Sequence, residues 1–373
     1  MSAGRTELLP LAVLYLLLIH FHTRQTIIAQ RCILVHMKHA YLTYAGILAA
    51  GLVFGWLGAT YVADQTSVGS GYIVREGGYE FINPLISCNI KDDQPYAGFS
   101  ALQQNLRSAI ANHIAAGDAT RVSIYVRDMD QGQWTGVNYD QMYVPASLVK
   151  VPLLIALERA SRDDTTLLTK KLTLIPSLTS KLVEHYPPPQ HLEVGHEYTL
   201  ADLMRAMIVY SDNDATQLIA NTVSDKTLSD VYTNFDVVPL EDPAGHSVSP
   251  NNYMRFFRIL YNASYLGRVR SQDSLKLLSQ STFKDGIVKG IPTERTVAHK
   301  FGERTEVGAN GAITESLHDC GIVYYPHAPY GICIMTEGSD FTKLSSVIAD
   351  LSGIVYSAVD GGIMSKDGTF AED

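Results

Sequence analysis

The chain has 373 residues, 46% of them hydrophobic and 18% charged, the composition of a folded protein with enough material for one large core or two smaller ones. Its formal charge of -9, with no basic cluster or interleaved aromatic motif to offset it, excludes nucleic acid as a partner. Cys32, Cys88, Cys320 and Cys333 are too few and too scattered for a disulfide framework or a zinc site, and the 12 histidines lack metal-ligand spacing, so neither a metal nor another cofactor is expected.

Residues 1–39 read as an N-terminal extension, with a short apolar run from Leu8 to Phe21 and a natural alternative start at Met37. Ala40 to Ala63 is an uncharged run long enough to cross a bilayer at about 1.5 Å per residue. Lys38 precedes it, with Arg24 and Arg31 further upstream, and Asp64 follows. The basic flank belongs in the cytoplasm, so the expected arrangement is a single-pass anchor in the cell membrane with the C-terminal bulk extracytoplasmic. Tyr61 spoils a small-x-small cleavage site, which favours an uncleaved anchor over a signal peptide. Residues 64–96, rich in glycine and aromatics, read as a linker or strand-like lead-in.

The folded domain is expected over residues 97–373. Phe99 to Ala116 carries apolar residues at helical spacing and ends at Gly117-Asp118. Arg121 to Val126 alternates as a strand, Asp128 to Gly132 turns, and Gln133 to Tyr139 returns as its hairpin partner. Residues from about 160 to 290 are helical in pattern and show no convincing sheet. Thr199 caps one helix, a second begins near Asp214, and Ser249-Pro250 opens a third. Strands follow at Thr296–Phe301, Leu317–Tyr325 and Tyr330–Thr336, then a helix from Lys343 to Val359. This order implies an α/β (α+β) fold: one antiparallel sheet drawn from both chain ends, with an all-helical subdomain inserted between them.

The chemistry concentrates where Tyr143-Val144-Pro145-Ala146-Ser147-Leu148-Val149-Lys150 runs into an apolar helix. Ser147 and Lys150 stand one helical turn apart, as a serine nucleophile and an amine base must. A helix apolar on every face is buried, and burying Lys150 is costly unless it has polar partners or a lowered pKa. Pro152 removes a helix N–H and should bend the helix one turn past Lys150.

Two further motifs follow in order: Ser211-Asp212-Asn213 at a helix junction and Lys300-Phe301-Gly302 on a strand. S-x-x-K, S-D-N and K-[ST]-G in this order are a signature of class A β-lactamases and penicillin-binding proteins. Over about residues 97–360 the chain resembles that superfamily of serine hydrolases, with the third motif departing at one position. The resemblance implies a DD-peptidase/β-lactamase-like fold and acyl-enzyme chemistry on a β-lactam or cell-wall peptide. It casts Ser147 as nucleophile, Lys150 as proton acceptor and Ser211 as proton donor to the leaving nitrogen. Asn213 would hold Lys150 and a substrate amide, and Lys300 a substrate carboxylate. The backbone N–H groups of Ser147 and Glu303 would form the oxyanion hole, with Gly302 leaving room for substrate.

Phe301 stands where the family has a hydroxyl that binds a substrate carboxylate, so substrate choice is open; Arg304 is a candidate to compensate. The glutamate that activates water for deacylation in class A enzymes has no counterpart pattern, although Glu241 and Asp242 fall in the corresponding loop. An acyl-enzyme that lingers is therefore expected. The nearest label is a β-lactamase-like amide hydrolase; the alternatives are a D-alanyl-D-alanine peptidase and a penicillin-acylated sensor. Cys320 and Cys333 fall on paired strands, either as a disulfide or as two buried thiols.

Overall fold

The computed structural model describes residues 46–55, 73–88, 94–179, 181–237 and 247–364. The chain divides into two units, Met1–Ser70 and Gly71–Asp373. In the first, residues 46–55 form an exposed helix. Among the described residues no helix is long and apolar enough to cross a membrane. Most of the expected anchor Ala40–Ala63, and all of residues 1–39, lie outside the described residues.

The second unit opens with a hairpin, β1 (Ile73–Arg75) and β2 (Leu85–Cys88). Arg75 fastens it to the body, its guanidinium donating to the carbonyls of Met129 and Asp130 and to Asn262 Oδ1. The helix expected near Phe99 is α1 (Ser100–Ala115). The central sheet is built from β3 (Arg121–Asp128), β4 (Trp134–Val137), β7 (Val297–Val307), β8 (Ile313–Val323) and β9 (Tyr330–Gly338). Their order is β4-β3-β9-β8-β7, antiparallel throughout, so strands from both chain ends meet at the β3–β9 pair and β7 is an edge.

Alternation along these strands divides the core in two. Ile124, Val126, Ile332 and Ile334 face a cluster shared with α1 and the closing helix α8 (Phe341–Asp360). Tyr125, Cys333 and Met335 face a second cluster shared with the inserted helices. Cys320 and Cys333 are direct cross-strand partners in β8 and β9 and form a disulfide, which decides between the two readings of that pair.

The insertion begins with a 3₁₀ turn, Ala146–Val149, and the buried helix α2 (Lys150–Asp163). Then come α3 (Leu200–Val209), α4 (Asn213–Ala220), α5 (Asp225–Asn234), α6 (Pro250–Tyr261) and α7 (Arg268–Leu278). Thr199 and Asp202 make a capping box on α3, Asp212 caps α4, and Ser249 caps α6 ahead of Pro250. The insertion is not purely helical. A two-stranded sheet, β5 (Lys171–Thr173) with β6 (Glu197–Thr199), leads into α3, each strand too short for alternation to show in the sequence. Pro152 does not bend a helix in mid-course either. Because α2 starts at Lys150, the proline lies in its first turn, where a missing N–H costs little.

Candidate active site

Ser147 sits in the 3₁₀ turn, preceded by Ala146 in the left-handed region at φ 50°. Ser211, between α3 and α4, is left-handed too, at φ 61°. Such conformations are costly for residues other than glycine and cluster where side chains must be aimed. Here they aim two hydroxyls at the same amine. Lys150 Nζ donates to Ser147 Oγ at 3.0 Å, Ser211 Oγ at 3.1 Å and Asn213 Oδ1 at 2.8 Å. It also donates to the Ser211 carbonyl at 2.5 Å. Lys300 Nζ, fully buried on β7, donates to the same Ser211 Oγ at 2.8 Å and to the Phe301 carbonyl at 2.7 Å.

Five of the residues singled out by the three motifs thus form one network: Ser147, Lys150, Ser211, Asn213 and Lys300. Burial pushes the Lys150 amine down to about 8, while Glu184, Asp212 and Glu303 nearby limit the fall. Burial, and then the neighbouring charge of Lys150, pushes Lys300 well down. An amine with its pKa near neutrality beside a serine hydroxyl is equipped to take the serine's proton. Ser211 accepts from both lysines, which leaves its own hydroxyl proton free to be given elsewhere.

Gly302 is required by closeness. A Cβ there would lie 2.8 Å from the Pro145 carbonyl and 3.1 Å from Ser147 N, so only glycine lets β7 rest against the nucleophile's turn. The site opens into a cleft of about 980 Å³ lined by Ser147, Lys150, Ser211, Asn213, Glu303 and Arg304, among others. Glu241 and Asp242 lie outside the described residues.

Two site residues carry no mark in the sequence. Glu184, on the segment between β5 and β6, accepts a hydrogen bond from Asn213 Nδ2 and lines the cleft. Tyr186, two residues on, secures that segment: its ring meets Phe283, Phe301 and Phe341 edge-on. The Glu303 carboxylate completes the fastening by accepting from the backbone N–H groups of His185 and Tyr186, each at 2.9 Å. The segment is thereby strapped to β7 at Glu303. Phe301, at the departing position of the third motif, is buried and stacked on Phe283 with ring centroids 4.0 Å apart. It supplies the wall against which Tyr186 rests. No signal short of the fold marks Glu184, because a lone carboxylate three residues from Pro187 reads as a solvated loop.

Residues 105–359 match the family model described as Beta-lactamase enzyme family. The chain belongs to that family. Solved structures agree on the fold. PBP-A superposes with a TM-score of 0.60 at 21% identity, covering 72% of this chain and 99% of that one. A point mutant of PBP-A, determined as an acyl-enzyme complex with penicillin G, gives 0.59 at 21% identity over the same shares. A class A β-lactamase from Mycobacterium abscessus gives 0.59 at 21% identity, covering 69% of this chain and 99% of that one. Nothing among curated proteins matches this chain.

Proposed function

We propose that this member of the β-lactamase family is a serine hydrolase that is acylated on Ser147 by β-lactams or related amides and releases the acyl group slowly. The observation that carries the reading is Lys150 Nζ at 3.0 Å from Ser147 Oγ, with its pKa lowered to about 8. Ser147 Oγ bonds to the carbonyl carbon as its proton passes to Lys150 Nζ. The oxyanion that forms is met by the backbone N–H groups of Ser147 and Glu303. As the C–N bond breaks, Ser211 gives its proton to the leaving nitrogen and is resupplied by Lys150 across 3.1 Å. The product of this half-reaction is an ester on Ser147.

Hydrolysis of that ester needs a base on a water. Among the described residues no carboxylate hydrogen-bonds to Ser147: Glu184 is engaged by Asn213, and Glu303 by two backbone N–H groups. General-base catalysis contributes about 10²–10⁴-fold, so its loss leaves an adduct that persists. The test is intact mass against time after excess penicillin is removed. A drug-sized increment that lasts for minutes or longer supports slow release. Rapid return to the unmodified mass, abolished in Glu241→Gln, contradicts it and makes the protein a turnover β-lactamase. Release of D-alanine from a stem peptide faster than penicillin turnover would favour the peptidase reading instead.

The reading places the domain outside the cytoplasm on a tether at Ala40–Ala63, supported by the uncharged run and its basic upstream flank. The Cys320–Cys333 disulfide fits an oxidising compartment. Protease added to intact spheroplasts should degrade the domain, and protection would invert the topology.

A further inference from the structure

Glu184 occupies a position at which a substrate's acyl group must arrive. Asn213 has one oxygen and one NH₂ group to offer; the oxygen faces Lys150 at 2.8 Å, and the nitrogen already donates to Glu184 Oε1. The NH₂ group has two N–H bonds, so an amide carbonyl that takes the second one comes to lie beside the Glu184 carboxylate. The carboxylate does not readily leave. The next two residues are fixed by their N–H bonds to Glu303, and Tyr186 is seated among Phe283, Phe301 and Phe341. Glu184 is therefore a wall of the cleft.

The charges around it sharpen the point. Lys150 is the cation that acts most strongly on Glu184; Glu303 and Asp212 oppose it. Lys181 and Arg304 line the same cleft. Lys150 must be neutral to accept the proton of Ser147. In that state the half-buried Glu184 carboxylate faces the cleft without its chief counter-ion, an arrangement that costs free energy until a cation arrives. Glu184 Oε1 is held by Asn213, and among the described residues no hydrogen bond engages Oε2. A protonated amine on the incoming acyl group supplies both charge and hydrogen bonds, and charge-assisted bonds are roughly twice as strong as neutral ones.

We propose that Glu184 makes the acyl side of this cleft an ammonium-binding subsite, so that acyl donors bearing a free protonated amine on the acyl side chain are preferred over those that lack one. This inference rests on the acyl-transfer reading above and specifies its substrate class.

Ampicillin and benzylpenicillin test it, because they differ only in an amine on the acyl side chain. The rate of adduct formation on Ser147 with each drug is measured by intact mass, in the full chain and in Glu184→Gln. The expected result is a preference for ampicillin of roughly tenfold or more in the wild type, as charge-assisted pairing provides. That preference should fall towards one in Glu184→Gln and fade in the wild type as rising pH deprotonates the drug's amine. Because the readout is a ratio within one protein, a general loss of reactivity in the variant does not disturb it. A ratio near one in the wild type, or an equal ratio in both proteins, overturns the subsite. Absence of any adduct with either drug, together with no consumption of either drug, overturns the acyl-transfer reading itself, and this inference with it.

Discussion

The Tyr253 hydroxyl, buried on α6, donates to the carbonyl of Leu148 at 2.8 Å. The bond ties α6 to the 3₁₀ turn that carries the nucleophile, one residue past Ser147, and adds a second donor to a carbonyl that the Lys150 backbone N–H already meets. Tyr253→Phe should cost about 0.5–1.5 kcal/mol, the net contribution of a typical intramolecular hydrogen bond. Denaturant melts of the wild type and the variant check this; an unchanged midpoint would show that the bond does not hold the turn.

Phe301 makes a second testable joint. Replacing it with threonine restores the hydroxyl of the usual third motif but removes the ring that stacks on Phe283 and backs Tyr186. Large-to-small changes at buried phenylalanines cost about 3–5 kcal/mol. Phe301→Thr should therefore lower the melting temperature, loosen the strap and expose residues 181–190 to protease. An unchanged melting temperature and digestion pattern would mean that the aromatic cluster does not hold the strap.

The lysine pair dictates a pH profile. Lys150 accepts a proton only as the free amine, and burial brings its pKa down to about 8. Below that value the reactive fraction falls tenfold for each pH unit, so the acylation rate should rise with pH and level off above about 8. Stopped-time mass spectrometry from pH 6 to 9 measures it. A flat profile would show that another group takes the proton of Ser147.

Much of this site is legible in the sequence because its motifs are local. Ser147 and Lys150 share a helix turn, Ser211 and Asn213 flank a helix cap, and Lys300 and Gly302 lie on one strand, so each fragment carries its geometry in its spacing. That one antiparallel sheet draws on both chain ends was legible from alternation and from the position of the helical insertion; the order of its strands was not. What was not legible depends on packing across the chain. Glu184 and Tyr186 reach the site from a proline-rich segment without periodicity. Phe301 reads as a lost function until its partners are seen, after which it is a gained contact. The β5–β6 pair is too short to announce itself, and the partner of Cys320 was settled by strand register.

The central claim is that Ser147 is the acylated nucleophile, and peptide mapping after exposure to a fluorescent penicillin tests it most directly. The account predicts that the label resides on the peptide containing Ser147 and disappears in Ser147→Ala, while that variant keeps the wild-type melting transition. Label that persists in Ser147→Ala, or a folded wild-type protein that takes up none, would contradict it.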